Sequence, residues 1–477
     1  MVSGSTVNVI RKHVLLITFP AYGHIIPILE LAKRMARSHE VTFAVSECKV
    51  EDIKKRELFS VDQENKVRLY GIKDGLDCHL DDPSDPVAIR KVFKHVLSSV
   101  QILMDRMPTR NSAVAATGTD AEKIDEPVDI VIADGFVGGP VSTCRSRGIP
   151  FYLFNTAAAH LTQVFLSLDR DRDLIPPDEN TGPVCFQQRF GPNVVMDPLL
   201  EKLKDLLLPI TDTIHLATGL IVNSFREIEE KVMKELSQHP SMANVKLYCV
   251  GPFLSEETTA SKNKTVEIQV DRWLSQKRER EVVYVSHGSV AVPSPGEINE
   301  IGLGLLELKK PFIWSLRRQH HTHLPKELQA RISQQFSSPD SQFLILTWAP
   351  QKLILSHPAV AVFLSHCGWN STLEGLSAGK PIVGWPMFAD QEMDALFVED
   401  IGAGLMIKGT GIVPKRTVAG SEVATTIAKV AGWEEPGTSG MSKVSFTAEA
   451  EAWGKKINYA LGQDGSSTKE FLELVQF

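Results

Sequence analysis

Short apolar runs recur along this chain, and segments with helical spacing of apolar residues lie between them. In the first half the runs are His13 to Phe19, Val41 to Val45, Val128 to Ala133 and Pro150 to Phe154. In the second half they are Val282 to Ser286, Phe312 to Leu316, Phe343 to Thr347 and Val360 to Leu364. Strands that are apolar on both faces and alternate with helices form parallel sheets covered on both sides. The sequence therefore predicts an α/β protein with two doubly wound, Rossmann-like domains.

A polar stretch without apolar periodicity separates the two halves. It follows Val250 to Phe253 and predicts a linker over residues 254–265. We expect an N-terminal domain over 1–253, a C-terminal domain over 266–454, and a terminal helix over about 455–477 that packs back on the first domain. Facing domains of this kind bind ligands in a cleft at the carboxyl ends of their strands, so a nucleotide-linked substrate is expected.

Charge and composition exclude several functions. The chain has 51 Lys and Arg residues against 58 Asp and Glu residues, a net charge of -7, so it has no basic excess for binding nucleic acid. The first apolar run is too short for a signal peptide or a membrane span. The six cysteines form no C-x-x-C pair, which favours reduced thiols. We expect a cytoplasmic, monomeric protein without membrane insertion.

Motifs for several other kinds of chemistry are absent or weak. No G-x-G-x-x-G follows a predicted strand and no P-loop motif occurs, so neither dinucleotide nor P-loop chemistry is supported. The tract from His320 to His323 has no cysteine or carboxylate cluster beside it. It is expected to be an exposed loop, and no metal site is assigned. Cys367 is expected to be a small buried thiol and not a nucleophile.

The segment after Val360 to Leu364 predicts an anion site. This strand ends at His366, a glycine turn follows, and a helix is expected to begin near Asn370 or Ser371. The N–H groups and positive dipole of a helix start favour an anion. Ser371 to Glu374 also matches a capping box, and taken alone it favours a structural role. The neighbouring residues favour a binding site. His366 can donate to a phosphate, and Trp348 and Trp369 offer aromatic faces. Asp390 and Gln391 add polar side chains.

The stretch from Trp348 to Gln391 resembles the 44-residue signature box of plant-type family-1 UDP-glycosyltransferases. Ala21 to Pro27 resembles the G-H-x-x-P acceptor loop of that family, and Val283 to Ser289 resembles its V-Y-V-S-F-G-S strand. The resemblance covers nearly the whole chain. It departs at His287, where the family usually has an aromatic residue, and whether this side chain packs inward or reaches the cleft is open. The family implies a GT-B fold, with two facing domains and a cleft between them, and a UDP-sugar-dependent hexosyltransferase activity.

The resemblance also implies which residues bind the donor. Uracil and ribose would be held by Trp348, Gln351 and Glu374, with Ala349 in the same site. The diphosphate would be held by Ser289, His366, Asn370 and Ser371. The sugar would be contacted by Trp369, Asp390 and Gln391. Because Gln391 closes the box as in glucose-using relatives, UDP-glucose is the expected donor.

Transfer to a hydroxyl requires a base, because a phenol or alcohol attacks poorly while protonated. His24 follows the first strand at the start of a helix, with Pro27 in the first turn. A helix start disfavours the imidazolium, so the ring stays neutral and can accept a proton. Asp134 follows another strand and would hold the other ring nitrogen, as in the family's His–Asp pair. Without the motif, a turn histidine and a loop or cap carboxylate are the stronger interpretations.

The acceptor is expected to be a small, largely apolar molecule with a hydroxyl, of phenolic or flavonoid, terpenoid or steroid type. It would contact Gly23, Thr156 and the loops around Asp74 to Asp85, Ala157 to Phe165 and Phe186 to Met196. The leaving diphosphate is a stable anion, so a single displacement needs no metal and no cofactor beyond the UDP-sugar co-substrate. It inverts the anomeric centre and gives a β-glycoside. The alternatives are a GT-B-like nucleotide-sugar epimerase and a non-catalytic nucleotide-sugar or small-molecule binding protein; a base aimed at an external acceptor favours transfer.

Overall fold

The computed structural model describes most of the chain, in two compact units. The described residues are 10–59, 66–77, 86–108, 124–166, 207–254, 264–290, 292–336, 341–411, 416–433 and 445–477. The first unit holds the described residues before 255 together with residues 460–477, and the second holds those from 264 to 459. The roles assigned to the predicted domains over 1–253 and 266–454 stay predictions. Most of the predicted linker, at 255–263, lies outside the described residues.

The first unit is built on a parallel sheet. Its strands are β1 His13–Ile17, β2 Glu40–Ser46, β3 Val67–Ile72, β4 Ile130–Asp134, β5 Phe151–Asn155, β6 Gly219–Val222 and β7 Lys246–Cys249. Their order is β3-β2-β1-β4-β5-β6-β7, so the direction of winding reverses between β1 and β4. Ile17 pairs with Ala133 across this pair of strands. The residues after Ile17 and Ala133 therefore lie at the switch point, where sheets of this type bind ligands.

Helices cover this sheet, and their apolar faces form the core. They are Tyr22–Met35, Glu47–Lys55, Pro86–Arg106, Val141–Ser146, Ala159–Leu166, Arg226–Gln238 and Ser466–Leu474. The first helix buries Ile25, Ile28 and Leu29 against Leu16 and Ile132 of the strands. Full burial of each such side chain contributes about 1.5–3 kcal/mol. This helical spacing was visible in the sequence. The packing of these side chains holds the segment after β1 in place.

Two details of the first unit differ from the sequence prediction. The first helix begins at Tyr22, so Pro27 lies inside the helix and not in its first turn. Ala157 to Phe165, predicted as an acceptor loop, is largely the buried helix Ala159–Leu166, because its apolar side chains pack inside the unit. The other two predicted acceptor loops fall wholly or mostly outside the described residues, at 78–85 and 186–196.

The chain end is two helices, where the sequence predicted a single helix over about 455–477. These helices are Phe446–Leu461 and Ser466–Leu474. In the second of them Glu470 forms an ion pair with Arg226 at 2.8 Å and accepts a hydrogen bond from the backbone N–H of Cys249 at 2.6 Å. Leu474 belongs to the core cluster of the first unit. The last helix is therefore a structural part of the first unit.

The second unit repeats the same architecture. Its strands are β8 Val282–Ser286, β9 Phe312–Ser315, β10 Phe343–Leu346, β11 Val360–Ser365, β12 Ile382–Gly384 and β13 Gly404–Met406, in the parallel order β10-β9-β8-β11-β12-β13. Its helices are Lys264–Leu274, Pro295–Leu308, Lys326–Arg331, Gln351–Ser356, Trp369–Ser377, Gln391–Asp400, Gly420–Ala431 and Phe446–Leu461. Ser286 pairs with Ser365, so the switch point lies between β8 and β11. The prediction of two doubly wound, parallel α/β folds is confirmed.

No described helix combines the length and the apolarity needed to span a bilayer.

Candidate active site

His24 and Asp134 meet at the switch point of the first sheet. His24 lies in the first turn of the helix after β1, and Asp134 is the last residue of β4. The Nδ1 atom of His24 lies 2.8 Å from Oδ2 of Asp134. The carboxylate is buried, whereas the imidazole keeps 20% of its side-chain surface exposed. The pair predicted from the sequence is therefore formed, with the imidazole at the surface of the unit.

The surroundings of Asp134 fix the orientation of the imidazole. Oδ1 accepts a hydrogen bond from the N–H of Phe136 at 2.8 Å, and Oδ2 accepts one from the N–H of Phe19 at 3.5 Å. A carboxylate only accepts, so the Nδ1 atom of His24 carries the proton of the neutral ring. The lone pair is then on Nε2. Thr156, predicted to contact the acceptor, places its hydroxyl 3.2 Å from Nδ1 of His24.

Aromatic rings surround His24. The ring of Phe136 lies 4.8 Å from the imidazole and that of Phe19 lies 5.5 Å from it, centroid to centroid. Phe93 packs on both phenylalanines, at 4.7 Å from Phe19 and 5.4 Å from Phe136. The sequence analysis missed Phe93 and Phe136, although Phe136 follows Asp134 by two residues. The imidazole of His24 thus has an apolar neighbourhood.

Gln351 is the centre of a polar cluster in the second unit. Its Nε2 donates to Oε2 of Glu374 at 2.6 Å and to Oγ of Ser371 at 3.2 Å. The hydroxyl of Tyr284 donates to Oε1 of Gln351 at 3.1 Å. The sequence analysis missed Tyr284, which is buried on β8 and reaches the cluster only with its hydroxyl. Trp348, three residues before Gln351, is 41% exposed, as expected of a platform for a planar ligand.

His366 lies against two glycines in the second unit. A Cβ atom on Gly288 or Gly368 would lie 2.6 or 2.7 Å from Nε2 of His366, so neither position accepts a side chain without displacing the imidazole. Gly288 also has φ of 74°, which glycine adopts without strain. Burial lowers the pKa of His366 to about 4. At physiological pH this imidazole is therefore neutral.

The helix after His366 begins one or two residues earlier than predicted. Gly368 is the N-cap of helix Trp369–Ser377 and offers no side-chain cap. The capping-box interpretation of Ser371 to Glu374 is therefore wrong. Ser371 lies in the first turn, where its hydroxyl is bonded to Gln351. The helix start and His366 lie together at the carboxyl edge of the sheet, the arrangement that suits an anion.

Comparison with known proteins finds similarity to one family of transferases. A family model described as UDP-glucoronosyl and UDP-glucosyl transferase matches residues 239–422. An anthocyanidin 3-O-galactosyltransferase of Rhododendron delavayi is 28% identical, over 86% of this chain and 88% of that protein. An indole-3-acetate beta-glucosyltransferase of Zea mays is 26% identical, over 98% of each chain. These similarities support a plant-type family-1 UDP-glycosyltransferase.

The fold of this glycosyltransferase is also that of solved relatives. The crystal structure of Medicago truncatula UGT71G1 complexed with UDP-glucose superimposes with a TM-score of 0.75, at 21% identity and over 98% of each chain. A UDP-glucosyltransferase from Polygonum tinctorium capable of glucosylating indoxyl gives a TM-score of 0.73, at 24% identity and over 98% of each chain. The GT-B class expected from the sequence is confirmed.

Three residues expected to contact the sugar differ in how far they are exposed. Trp369 is 3% exposed and packs edge-to-face on Phe397 at 5.8 Å, so its aromatic face lies in the core of the glycosyltransferase's second unit. Oε1 of Gln391 accepts from the N–H groups of Met387 at 2.9 Å and Phe388 at 3.2 Å, so its carbonyl closes a turn. Asp390 is partly exposed. The sugar contacts of all three stay predictions.

The remaining residues predicted to bind the donor or the acceptor range from exposed to nearly buried. Ser289 is exposed after β8, Asn370 is partly exposed in the first helical turn, and Ala349 is nearly buried beside Trp348. Gly23 lies beside His24 with open space where a Cβ would be. Their binding roles also stay predictions.

Cys367 and the histidine tract were not assigned to a site from the sequence. Cys367 is buried, and burial raises the pKa of its thiol well above the ordinary value, so the prediction of a small buried thiol is confirmed. Cys78 and Cys185 lie outside the described residues. The histidine tract forms the short 3-10 helix Arg318–His323 rather than a loop. Over the ranges that the structure describes, no three His, Cys, Asp or Glu side chains are grouped to hold a metal ion.

His287, the departure from the family motif, packs inward. It is 4% exposed, and its ring meets Trp385 edge-on at 6.4 Å. Neither ring nitrogen has a hydrogen-bond partner in the described structure. Burial, together with the neighbouring His366, lowers the pKa of His287 to about 3. The question left open by the sequence is answered: the ring takes the place of a core aromatic side chain.

This burial predicts a loss of stability in acid. Between pH 6.5 and about 3 the unfolded chain binds a proton at His287 that the folded protein does not, so stability falls as the pH falls below 6.5. At pH 5.5 the cost is about 1 kcal/mol. We expect His287→Phe to unfold at a temperature less sensitive to this change of pH. Thermal unfolding at pH 7.5 and 5.5 measures it, and an unchanged pH sensitivity would count against a buried neutral imidazole.

Proposed function

We propose that this glycosyltransferase moves glucose from UDP-glucose to a hydroxyl of a small apolar acceptor, with inversion, to give a β-glycoside. The observation that carries the proposal is the His24–Asp134 pair at the switch point of the first sheet, 2.8 Å apart and surrounded by aromatic rings. The proposal assigns the acceptor to the first unit and the donor to the second. The relatives are named for activities on an anthocyanidin and on indole-3-acetate, which supports a small-molecule acceptor.

The base in this proposal is Nε2 of His24. The ring is held by Asp134 through Nδ1, which leaves the lone pair of Nε2 to take the proton of the acceptor hydroxyl. The oxygen then attacks the anomeric carbon as the bond to the diphosphate breaks. The buried carboxylate of Asp134 stabilises the imidazolium that forms, since the two charges are in direct contact. A positioned base of this kind contributes about 10²- to 10⁴-fold to the rate.

The donor in this proposal is held by groups of the second unit. Uracil stacks on the exposed face of Trp348, and the ribose hydroxyls bond to Glu374, which Gln351 orients through the 2.6 Å hydrogen bond. The diphosphate accepts from the neutral imidazole of His366 and from the first turn of helix Trp369–Ser377. Because a diphosphate leaves as a stable anion, the proposed reaction uses no metal and no cofactor. The cytoplasmic location and monomeric state stay predictions.

Aromatic rings favour an apolar acceptor. Phe136 is partly exposed beside His24, and its backbone N–H bonds to Asp134, so its ring and the base are held by one turn. Phe19 and Phe93 are buried, and both pack on the ring of Phe136 and hold it in place. An apolar body set on Phe136 brings a hydroxyl to His24 with little ordering of protein side chains. This supports acceptors of phenolic, flavonoid, terpenoid or steroid type.

Incubation of the protein with UDP-glucose and a panel of phenolic, terpenoid and steroid alcohols tests the proposal. We expect at least one acceptor to gain the mass of one hexose, with release of one UDP per product. The same panel with UDP-galactose and UDP-glucuronate tests the choice of sugar. If no acceptor gains a hexose while UDP-glucose is bound, the binding-protein alternative replaces the proposal.

Trp348→Ala is expected to weaken the binding of UDP by about tenfold or more, because stacking on an aromatic ring contributes roughly 1–3 kcal/mol per base. The structural reason is that this indole is 41% exposed beside the cluster of Gln351 and Glu374. Titration calorimetry with UDP measures the loss. Trp433→Ala is the control, since Trp433 lies against Lys310 away from that cluster. Equal UDP affinity in Trp348→Ala and the wild type would mean that uracil does not stack on Trp348.

A further inference from the structure

Arg317 contacts the loop that follows β8. It lies two residues beyond the end of β9, and β9 is the neighbour of β8 in the sheet. Its guanidinium donates a hydrogen bond to the backbone carbonyl of Ser289. The segment after β9 is also held by His321, whose ring nitrogen Nε2 lies 2.9 Å from the carbonyl oxygen of Leu316. The guanidinium is therefore held at the carboxyl edge of the second sheet.

The same loop lies against His366. Gly288, the residue before Ser289, packs so closely on that imidazole that a Cβ would lie 2.6 Å from Nε2. The chain thus connects Arg317, Ser289, Gly288 and His366 through direct contacts at one edge of the sheet. This is the edge to which the proposed function assigns the diphosphate.

His366 and the helix start provide little positive charge at this edge. The pKa of His366 is lowered to about 4, so this imidazole carries no positive charge at neutral pH. A helix start contributes only the equivalent of about half a positive charge. A diphosphate carries more negative charge than these groups offset, and a guanidinium is always protonated. Among the described residues bonded to the loop of Gly288 and Ser289, Arg317 brings a full positive charge.

We propose that Arg317 is a further donor-binding residue, which recognises the diphosphate of the UDP-sugar. This inference rests on the proposed function. One of the five guanidinium N–H groups is used on the carbonyl of Ser289, and the proposal assigns phosphate oxygens to the others. The fixed charge stabilises UDP as it leaves, when negative charge on the bridging oxygen grows. Arg317 lies outside the three segments that resemble the family, which are Ala21 to Pro27, Val283 to Ser289 and Trp348 to Gln391.

The test compares UDP with uridine, which lacks the phosphates, by titration calorimetry. We expect Arg317→Gln to weaken UDP at least about tenfold and to change uridine by less than about twofold. Arg318→Gln is the matched control, because this neighbouring arginine is exposed, and it should change neither ligand. Arg317→Lys retains the charge and should restore much of the UDP affinity, which also guards against a glutamine variant that folds poorly.

Three results would overturn the inference. Equal losses for UDP and uridine in Arg317→Gln would mean that the arginine only braces the loop. Unchanged UDP binding would mean that the guanidinium does not reach the phosphates. A wild type that transfers no sugar and binds no UDP would remove the proposed function together with the inference, whereas an active wild type with either of the first two results removes the inference alone.

Discussion

His24→Gln is expected to lower kcat by about 10²- to 10⁴-fold, the contribution of a positioned general base. Glutamine keeps a polar side chain but cannot take the proton of the acceptor. Because His24 lies in the first unit, with Asp134 and Phe136 as its neighbours, the dissociation constant for UDP should change by less than about twofold. Initial rates at saturating UDP-glucose and acceptor measure the first effect, and titration with UDP measures the second.

The matched control is His215→Gln, because this histidine is exposed in the same unit. We expect its kcat and its UDP affinity to equal those of the wild type. A loss of UDP binding in His24→Gln would contradict the division of roles between the two units. A kcat close to that of the wild type would remove His24 as the base.

Asp134→Asn is expected to lower kcat by about 10²-fold or more, because it removes the charge that stabilises the imidazolium and puts an amide where a carboxylate accepted the proton of Nδ1. The size of the side chain is unchanged. The amide oxygen can still accept from the N–H of Phe136 at the position of Oδ1, so the turn after β4 is retained, while the amide nitrogen takes the position of Oδ2 beside Phe19 and His24. Steady-state kinetics measures the loss, and circular dichroism confirms that the fold is kept.

The double variant His24→Gln/Asp134→Asn separates a joint role from two independent ones. If Asp134 acts through His24, the double variant is about as slow as His24→Gln alone, since residues that act as a unit are not additive. Multiplied losses would mean that Asp134 has a role of its own. That result would contradict the 2.8 Å pair as the catalytic unit.

Much of the fold was predictable, because continuous apolar runs place both faces of a strand in a core. The run Val360 to Leu364 is β11, which ends at Ser365, and Asp134 ends β4 as expected. Parallel strands bring their carboxyl ends to one edge, so residues after each run could be assigned to a common site. Pairing of His24 with Asp134 followed from the family motif and was formed in the structure.

Helix starts were predicted less well. Ser371 to Glu374 has the letters of a capping box, yet Gly368 is the cap, because Cys367 turns the chain with φ of 61° and the helix begins directly afterwards. The capping box that does form is at Ser294 and Glu297, where both reciprocal bonds are present. A four-residue pattern does not show where the preceding turn ends.

Contacts between distant segments were not predictable from patterns. Tyr284 is buried on β8 by its ring, and only the structure shows its hydroxyl on Gln351. Phe93 reaches the surroundings of His24 from a helix that no motif connects to the site. Arg317 reads as part of a polar stretch, and its bond to Ser289 depends on the pairing of β8 with β9. Sequence periodicity shows which face is buried and leaves the partner across the sheet unknown.

The anomeric configuration of the product tests the central claim most directly. In the proposed mechanism one displacement, with the acceptor oxygen deprotonated by His24, inverts the α-linked donor. Proton NMR of the isolated glucoside, made from UDP-glucose by the wild-type protein, should therefore show only the large anomeric coupling of a β-linked sugar. An α-linked product would require a second displacement through a group of the enzyme, and it would contradict the assignment of His24 as the base for direct transfer.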